Sequence, residues 1–428
     1  MQQLSWIVRS KEIKNRFLIT IVILIAYRLG CYIPLPGIDT NLVRGYFADN
    51  ASGFLGVFNV FSGGALSRMS LFSLNVMPYI VSSIIVQLLF FLFKGDNFRE
   101  SSSSSVLSFY TKLLTIFVCV FQSIFILFGL EKVFGMDVIL HKNISFFVIA
   151  IMTVLGSTLL LVWVAEQINT FGIGNGISLI IFVGIISELP SGLFYTVKYS
   201  GLGIVSTLFV FFILSAILFT VVYVERSYRI IKIKNPRKEY LYRSGGAHSA
   251  DVNIPIKLNV SGVIPPIFAG SFLMLPVTVS SIFSSGGFFS NLILKNFIPG
   301  SFLYILLYVI LIFFFSFFYS GFVFNAEQVA GSLKRSAIII PGIRPGVPTV
   351  NYLRGLVKKN TYIGASYLSI ICVLPELLRS FYYIPVSIGG TSFLIIVSVI
   401  MEIISQVQSY LFSYQYDNVV KKVRVFNK

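Results

Sequence analysis

Charge is what this sequence has least of. Only 11% of its 428 residues are Asp, Glu, Lys or Arg and 56% are hydrophobic, whereas a soluble domain carries about 25% charge, so a water-soluble fold is excluded. Histidine is nearly absent, and the topology derived below puts His141 and His248 on opposite sides of a membrane, where they cannot share a metal. Cys31, Cys119 and Cys372 sit singly in apolar runs without CxxC spacing, which predicts buried, inert thiols. No GxxxxGK[ST] occurs, which excludes an internal phosphate-loop ATPase. The cluster Gly172-Ile173-Gly174-Asn175-Gly176 lacks dinucleotide spacing and enters an apolar run instead of following a strand, so it is not read as a nucleotide site. Of the 16 carboxylates only Glu402 is placed within a span, and Arg28 is the clearest intramembrane cation, with the cytoplasmic boundary for Glu402 and outward snorkelling for Arg28 as the alternatives; an ion-coupled transporter buries several ionisable groups at mid-depth, and an intramembrane protease or transferase needs a catalytic pair. No catalytic residue, metal or cofactor is expected.

What is abundant is apolar sequence in long runs. About 20 apolar residues cross the hydrocarbon layer as a helix, and ten spans are predicted: Phe17 to Pro36, Asn75 to Phe93, Phe109 to Leu130, Ile144 to Val164, Gly176 to Tyr195, Leu202 to Val224, Leu258 to Phe283, Phe302 to Phe324, Tyr362 to Phe381 and Thr391 to Phe412. Basic residues precede the first run without a small-residue cleavage site after a short apolar stretch, which reads as a retained span. With the N-terminus inside, 25 of the 33 basic residues fall on the inward side, which the positive-inside rule requires and which puts both termini in the cytoplasm. Most of the net charge of +17 therefore calls for no polyanionic partner.

Two inward loops are more basic than orientation demands. Glu225 to Lys257 carries Arg226, Arg229, Lys232, Lys234, Arg237, Lys238 and Arg243, with alternating Ile231-Lys232-Ile233-Lys234 and a Ser244-Gly245-Gly246 suited to a hairpin turn. Asn325 to Asn360 sets Lys334, Arg335, Arg344, Arg354, Lys358 and Lys359 around Pro341-Gly342-Ile343-Arg344-Pro345-Gly346. The Pro-Gly pairs restrict the backbone and hold the Arg344 guanidinium outward. A docking surface for a soluble partner and flexible orientation loops both fit. Between the first two spans, Gly53 to Arg68 is apolar, glycine-containing and too short to cross; it is either a re-entrant half-helix over a cavity or an amphipathic helix on the outer surface. Ten spans divide into two sets of five, and an odd number forces any repeat to be inverted in the membrane.

The motifs then carry a resemblance. Tyr27-Arg28-Leu29-Gly30, Ile33 to Asp39 (IPLPGID), Phe58 to Arg68 (FNVFSGGALSR), Met77-Pro78-Tyr79-Ile80, Gly172 to Ser178 (GIGNGIS), Val224-Glu225-Arg226, Pro255 to Phe268 (PIKLNVSGVIPPIF), Leu333-Lys334, Ile340 to Gly346 (IPGIRPG), Gly389 to Ser392 (GGTS) and Gln406-Val407-Gln408 closely resemble the SecY family, the central channel subunits of bacterial protein translocases. The resemblance implies an all-α polytopic membrane protein: ten helices in two inverted five-helix halves, residues 1–196 and 197–428, around an hourglass pore with a re-entrant plug helix. By motif position it implies a pore ring of Val76, Ile80, Ile177, Ile181, Ile267 and Ile395, a plug including Phe58, Asn59, Phe61, Ser62, Gly63 and Gly64, and a lateral gate between spans two and three on one side and seven and eight on the other, with Gln87, Asn259 and Leu275 as members. A narrow apolar ring resists ions and offers a sliding chain no polar group to bind, and an amide in an apolar seam favours closure by a hydrogen bond worth about 1 kcal/mol.

The same resemblance makes Arg243, Lys334, Arg344 and Arg354 docking residues for the ribosome and the SecA ATPase. It implies SecE and SecG as companion subunits, YidC as a further candidate partner, and unfolded preproteins and signal peptides as substrate, in a bacterial cytoplasmic membrane and without DNA. Some positions depart from the family pattern. Ser101 to Ser105 replaces basic residues before Tyr110-Thr111, Phe171 replaces the basic residue before GIGNG, and Asn325-Ala326-Glu327-Gln328 replaces an acidic Pro-Glu stretch; these bear on partner docking. The expected function is a passive, gated protein-conducting channel, not an enzyme. A small-solute transporter with inverted repeats is the rival class, opposed by the scarce intramembrane charge and the two basic loops.

Overall fold

The computed structural model describes residues 11–49, 59, 62–94, 104–134, 144–199, 204–234, 252–283, 300–382 and 389–426. Phe58, Phe61, Arg243, His141, His248 and the Ser244–Gly246 turn lie outside them, and Leu275 is described only as part of a helical backbone. In chain order the elements are α1 (Lys11–Gly30), α2 (Thr40–Asp49), α3 (Met77–Lys94), α4 (Ser104–Phe134), α5 (Ile144–Phe171), α6 (Gly176–Tyr199), α7 (Ile204–Glu225), β1 (Tyr228–Ile233), β2 (Val252–Lys257), α8 (Ile264–Phe283), α9 (Phe302–Val323), α10 (Ala326–Arg335), α11 (Val347–Tyr382) and α12 (Gly390–Phe426). Each of the ten expected spans has a helix, and α2 and α10 are additional. By length and hydropathy alone, four helices among the described residues can cross a membrane, α4, α5, α9 and α12, while α3, α6, α7 and α8 carry shorter apolar stretches.

The helices are apolar nearly all round, so burial divides between protein and surroundings. Tyr308, Ile312, Phe315 and Ser320 of α9 face the core, while Phe302, Ile310 and Phe314 are exposed; Phe117, Phe121, Phe211, Phe212 and Phe219 are exposed on α4 and α7. Such an apolar perimeter on a folded chain requires a lipid solvent. Many hydroxyls inside these helices bond back to the preceding turn, as Thr115 Oγ1 does to the Thr111 carbonyl at 2.6 Å, which meets their hydrogen-bonding need within apolar surroundings; Ser316 Oγ of α9 is buried without a partner among the described residues. All three cysteines are free and buried, in keeping with inert packing.

Helix ends differ from the predicted spans for local reasons. The seventh span begins at Ile264, not Leu258, because Gly262 adopts φ +64 and Pro265-Pro266, lacking N–H groups, suit only a first helical turn. The first ends at Gly30, which lies so close to Phe72 that a Cβ would collide with the ring. At the ninth and tenth, hydropathy stops but the helix does not: α11 runs 36 residues and α12 runs 37. The amphipathic α2, ten residues long, escaped prediction because its apolar run is short; it starts where Asp39 Oδ1 accepts from Asn41 N at 2.9 Å and buries Val43 and Phe47 among Leu35, Ile38, Cys119 and Leu127.

Packing follows two sets. In the first, α3 packs on α4, α4 on α5, α5 on α6, and α1 on α5 and α6; in the second, α8 packs on α9 and α11, α9 on α11, α11 on α12, and α7 on α12. The sets meet where α8 touches α3 and α4, and where α12 touches α6. The antiparallel β1–β2 pair, with Tyr228 opposite Lys257 and Ile233 opposite Val252, continues through a bridge between Lys234 and Ile339.

Candidate functional site

The main apolar core of the described residues draws side chains from nine helices, α1, α3, α5 to α9, α11 and α12. Val76, Ile80, Ile181 and Ile395 are buried in it, and Ile177 and Ile267 pack against it half-buried. All six expected ring residues, from positions 76 to 395 of the chain, are thus gathered into a single cluster, alongside Phe268, Leu273, Phe315 and Leu394. None carries a polar side-chain group.

Of the segment expected as the plug, the described residues 59 and 62–68 are held by tight turns. Asn59 Oδ1 accepts from Ser67 N at 2.8 Å, Gly64 N donates to the Asn59 carbonyl at 2.9 Å, and Ser62 Oγ accepts from Leu66 N at 3.2 Å. Gly63 and Gly64 adopt φ +66 and +76, the left-handed region open to glycine without strain. Past it, Leu35 N donates to the Met69 carbonyl at 2.8 Å and Leu71 N to the Ile33 carbonyl at 2.9 Å, tying the segment to the chain that leaves α1. Arg28 Nη1 donates to the Gly63 carbonyl at 2.7 Å. Arg28 is therefore engaged with this segment, and the sequence alone had left snorkelling open. Glu188 and Glu376, inside α6 and α11, also fall within the expected spans, so Glu402 is not the one carboxylate there; an acidic residue within an apolar run was the available signal.

The expected gate residues are not bonded to each other. Asn259 is buried and donates from Nδ2 both to Glu225 Oε1 and to the Gly262 carbonyl, each at 3.0 Å, while Gln87 Nε2 donates to Ser83 Oγ at 3.0 Å within its own helix. The Asn259 amide is bound within its own helix set, whereas buried Gln87 Oε1 has no partner among the described residues, and neither amide bridges the contact of α8 with α3 and α4. Asn259 instead pins the chain between β2 and α8 to the end of α7.

The two basic loops fold together. Ile231, Ile233 and Ile256 of the strands share an apolar cluster with Ala326, Ala330 and Leu333 of α10, with Ile340, and with Leu353 and Leu356 of α11. Asn325 caps α10, its Oδ1 accepting from Glu327 N at 3.1 Å and Gln328 N at 3.2 Å, so the departure from the family pattern at this position still starts a helix. Lys334 sits in its last turn, where the helix dipole favours a cation. Gly342 and Gly346 take φ +82 and +110, and Thr349 Oγ1 donates to the Arg344 carbonyl at 2.9 Å; Arg344 is exposed at the tip. Arg354 Nη2 pairs with Glu327 Oε1 at 2.8 Å, both well exposed.

The Gly172–Gly176 turn is a structural knot. Ile173 N donates to Thr20 Oγ1 of α1 at 3.0 Å, Gly174 N to Gln406 Oε1 of α12 at 2.7 Å, and Gly176 N to Asn169 Oδ1 of α5 at 2.7 Å. Arg16 lies 5.1 Å from the Tyr410 ring centroid, and Ile173 packs with Ile13 and Leu411. Three donors that a phosphate-binding loop would present are consumed internally, and the two separate motifs GIGNG and Gln406-Val407-Gln408 meet here.

Ten helices in two packed sets, meeting around an apolar cluster inside an apolar perimeter, define a polytopic helical membrane protein of channel architecture. The SecY family model matches residues 70–404. The protein translocase subunit SecY of Buchnera aphidicola subsp. Schizaphis graminum is 40% identical over 425 residues, covering 97% of this chain and 96% of that one, and that of Escherichia coli K12 is 39% identical over 428 residues, covering 97% and 95%. Among solved structures, a protein conducting channel shares the fold at a TM-score of 0.66 with 15% identity, covering 94% of this chain and 93% of that one; Sec61 in the canine ribosome-channel complex from the endoplasmic reticulum does so at 0.64, also with 15% identity and the same coverage. This chain belongs to the SecY family.

Proposed function

We propose that the chain is the channel subunit of a bacterial protein translocase, passing unfolded secretory chains across the cytoplasmic membrane and releasing apolar helices sideways into lipid. The observation that carries this is the gathering of Val76, Ile80, Ile177, Ile181, Ile267 and Ile395 into one apolar cluster where the two helix sets face each other. A narrow ring of these six side chains would dewet when empty and give a moving chain no polar foothold. The sets correspond to halves 1–196 and 197–428, and residues 53–68 act as the plug. The lateral gate is the seam of α8 with α3 and α4, which includes Gln87 and Leu275; Asn259 acts at the base of α8 through its bond to Glu225.

The basic unit of β1, β2, α10 and the start of α11 lies on the cytoplasmic side with both termini. It presents Lys334 and Arg344 to a soluble partner, with Arg243 and Arg354 nearby in sequence. Phosphates of a ribosome attract such cations, and SecA supplies the energy that this chain has no motif to generate. SecE and SecG complete the complex, and YidC would receive helices leaving the gate. The chain itself performs no bond-breaking step. The test is reconstitution of the purified chain with its co-purifying subunits into vesicles with SecA, ATP and a secretory precursor. Precursor protected from added protease is the expected result; saturable uptake of a small solute with no precursor protection would favour the transporter class.

A further inference from the structure

Glu188 stands out among the charged groups that the channel function leaves unused. It lies in α6 one helical turn beyond Gly184, on the same face. The turn at Gly63 and Gly64 lies directly on that face: a Cβ added at Gly63 would come within 2.6 Å of the Gly184 Cα, and one at Gly64 would collide with Glu188 Oε1. The carboxylate is held from both sides. Ser191 Oγ shares its one proton between the Glu188 carbonyl at 2.9 Å and Oε2 at 3.1 Å, and Arg68 Nη2, at the far end of the same turn, approaches Oε1 at 3.8 Å with the two side chains 22% and 18% exposed. Arg28 adds a second cation, bound to the Gly63 carbonyl, and both guanidiniums lie against one ring, 5.1 and 4.4 Å from the Tyr32 centroid. Two cations and one carboxylate therefore surround the glycine turn.

We infer that Glu188 is the positioning residue that latches the plug: its carboxylate holds Arg68 and the Gly63-Gly64 turn against α6 and offsets the mutual repulsion of Arg28 and Arg68. The inference rests on the assignment of residues 53–68 as the plug. With Glu188 ionised, the seated turn has a counter-charge for two cations in an environment of low dielectric, where charge pairs interact more strongly than in water. With a neutral residue there, seating places Arg68 against Arg28 with no carboxylate between them, while leaving the seat lets Arg68 reach water. The latch thus acts on the seated state alone.

The test measures chloride efflux from vesicles holding the resting complex with its co-purifying subunits. Glu188→Gln, which keeps volume and removes charge, is expected to raise efflux about tenfold, equivalent to about 1.4 kcal/mol in the seating equilibrium. The charge swap Arg68→Glu with Glu188→Arg is expected to return efflux to within about twofold of the parent. Should Glu188→Gln fail to accumulate, Arg68→Gln reads the same pair from the plug side, with increased efflux again expected. A vesicle set lacking residues 59–68 separates the two layers of the inference. If that deletion leaks while Glu188→Gln and Arg68→Gln stay tight, or if the swap leaks like Glu188→Gln, the latch is overturned and the plug stands. If the deletion itself stays tight, the plug assignment fails and the latch with it.

Discussion

Adding one methyl group at Gly176 should damage this protein, and adding one at Gly156 should not. Gly176 opens α6, and a Cβ there would collide with the Ala165 carbonyl oxygen and lie 2.7 Å from both its carbonyl carbon and its Cα. All three atoms belong to the backbone of α5, so no rotamer change relieves the clash. Nor can the turn shift freely, since Gly174 N is held by Gln406 and Gly176 N by Asn169. Overpacking costs about 1–3 kcal/mol where neighbours give partly; an obstruction by fixed backbone puts Gly176→Ala at the upper end, with the hydrogen bonds of the turn lost as well. At Gly156, inside α5, a Cβ meets nothing within 4 Å, and replacing a helical glycine by alanine stabilises by about 0.5–1 kcal/mol. Thermal unfolding of the detergent-solubilised complex, read by exposure of Cys31, Cys119 and Cys372 to a thiol dye, gives both midpoints. The expected order is Gly156→Ala at or above the parent and Gly176→Ala clearly below it. A Gly176→Ala protein as stable as the parent would refute the close backbone approach of α5 and α6 and the description of the turn as a knot.

Asn325→Ala removes the side chain that accepts from two N–H groups at the start of α10; a loss of about 1 kcal/mol should appear as faster proteolysis of residues 326–360, with the rest of the chain unaffected. Asn259→Ala leaves the buried Glu225 carboxylate without its donor and should cost about 1–3 kcal/mol, whereas Gln87→Ala, whose amide reaches only Ser83, should cost less; unfolding midpoints of the two variants decide. Arg344→Glu, at an exposed tip braced by the Thr349 hydroxyl, should abolish ATPase-driven precursor transport while leaving the unfolding midpoint unchanged. A matched fall in both would mean that Arg344 supports the fold.

Much of the architecture was legible because a bilayer imposes a single long apolar run per helix, and runs are visible without any partner. Limits of those runs were less legible. Hydropathy marks where lipid ends, not where hydrogen bonding ends, so the polar first turns of α11 and the last turns of α12 were assigned to loops although the helices continue. The ring residues looked like ordinary core one by one; only their motif positions grouped them, and the cluster that joins Val76 to Ile395 is a property of packing. Polar contacts were the least legible. Asn259 was expected to face the gate, yet its partner is Glu225, 34 residues earlier. Glu188 was hidden because a lone carboxylate in an apolar run has no meaning until Arg68 is brought to it from another part of the chain.

The central claim is that a polypeptide passes through the apolar cluster between the two helix sets. A photo-crosslinking residue placed at Ile80, and separately at Ile267, in membranes carrying a secretory chain stalled in transit tests it directly. Adducts to the stalled chain are predicted at both positions and not at Phe219, which is exposed on the outer face of α7. A stalled chain protected from protease across the membrane but forming no adduct at either position would contradict it, and would place the conduit elsewhere.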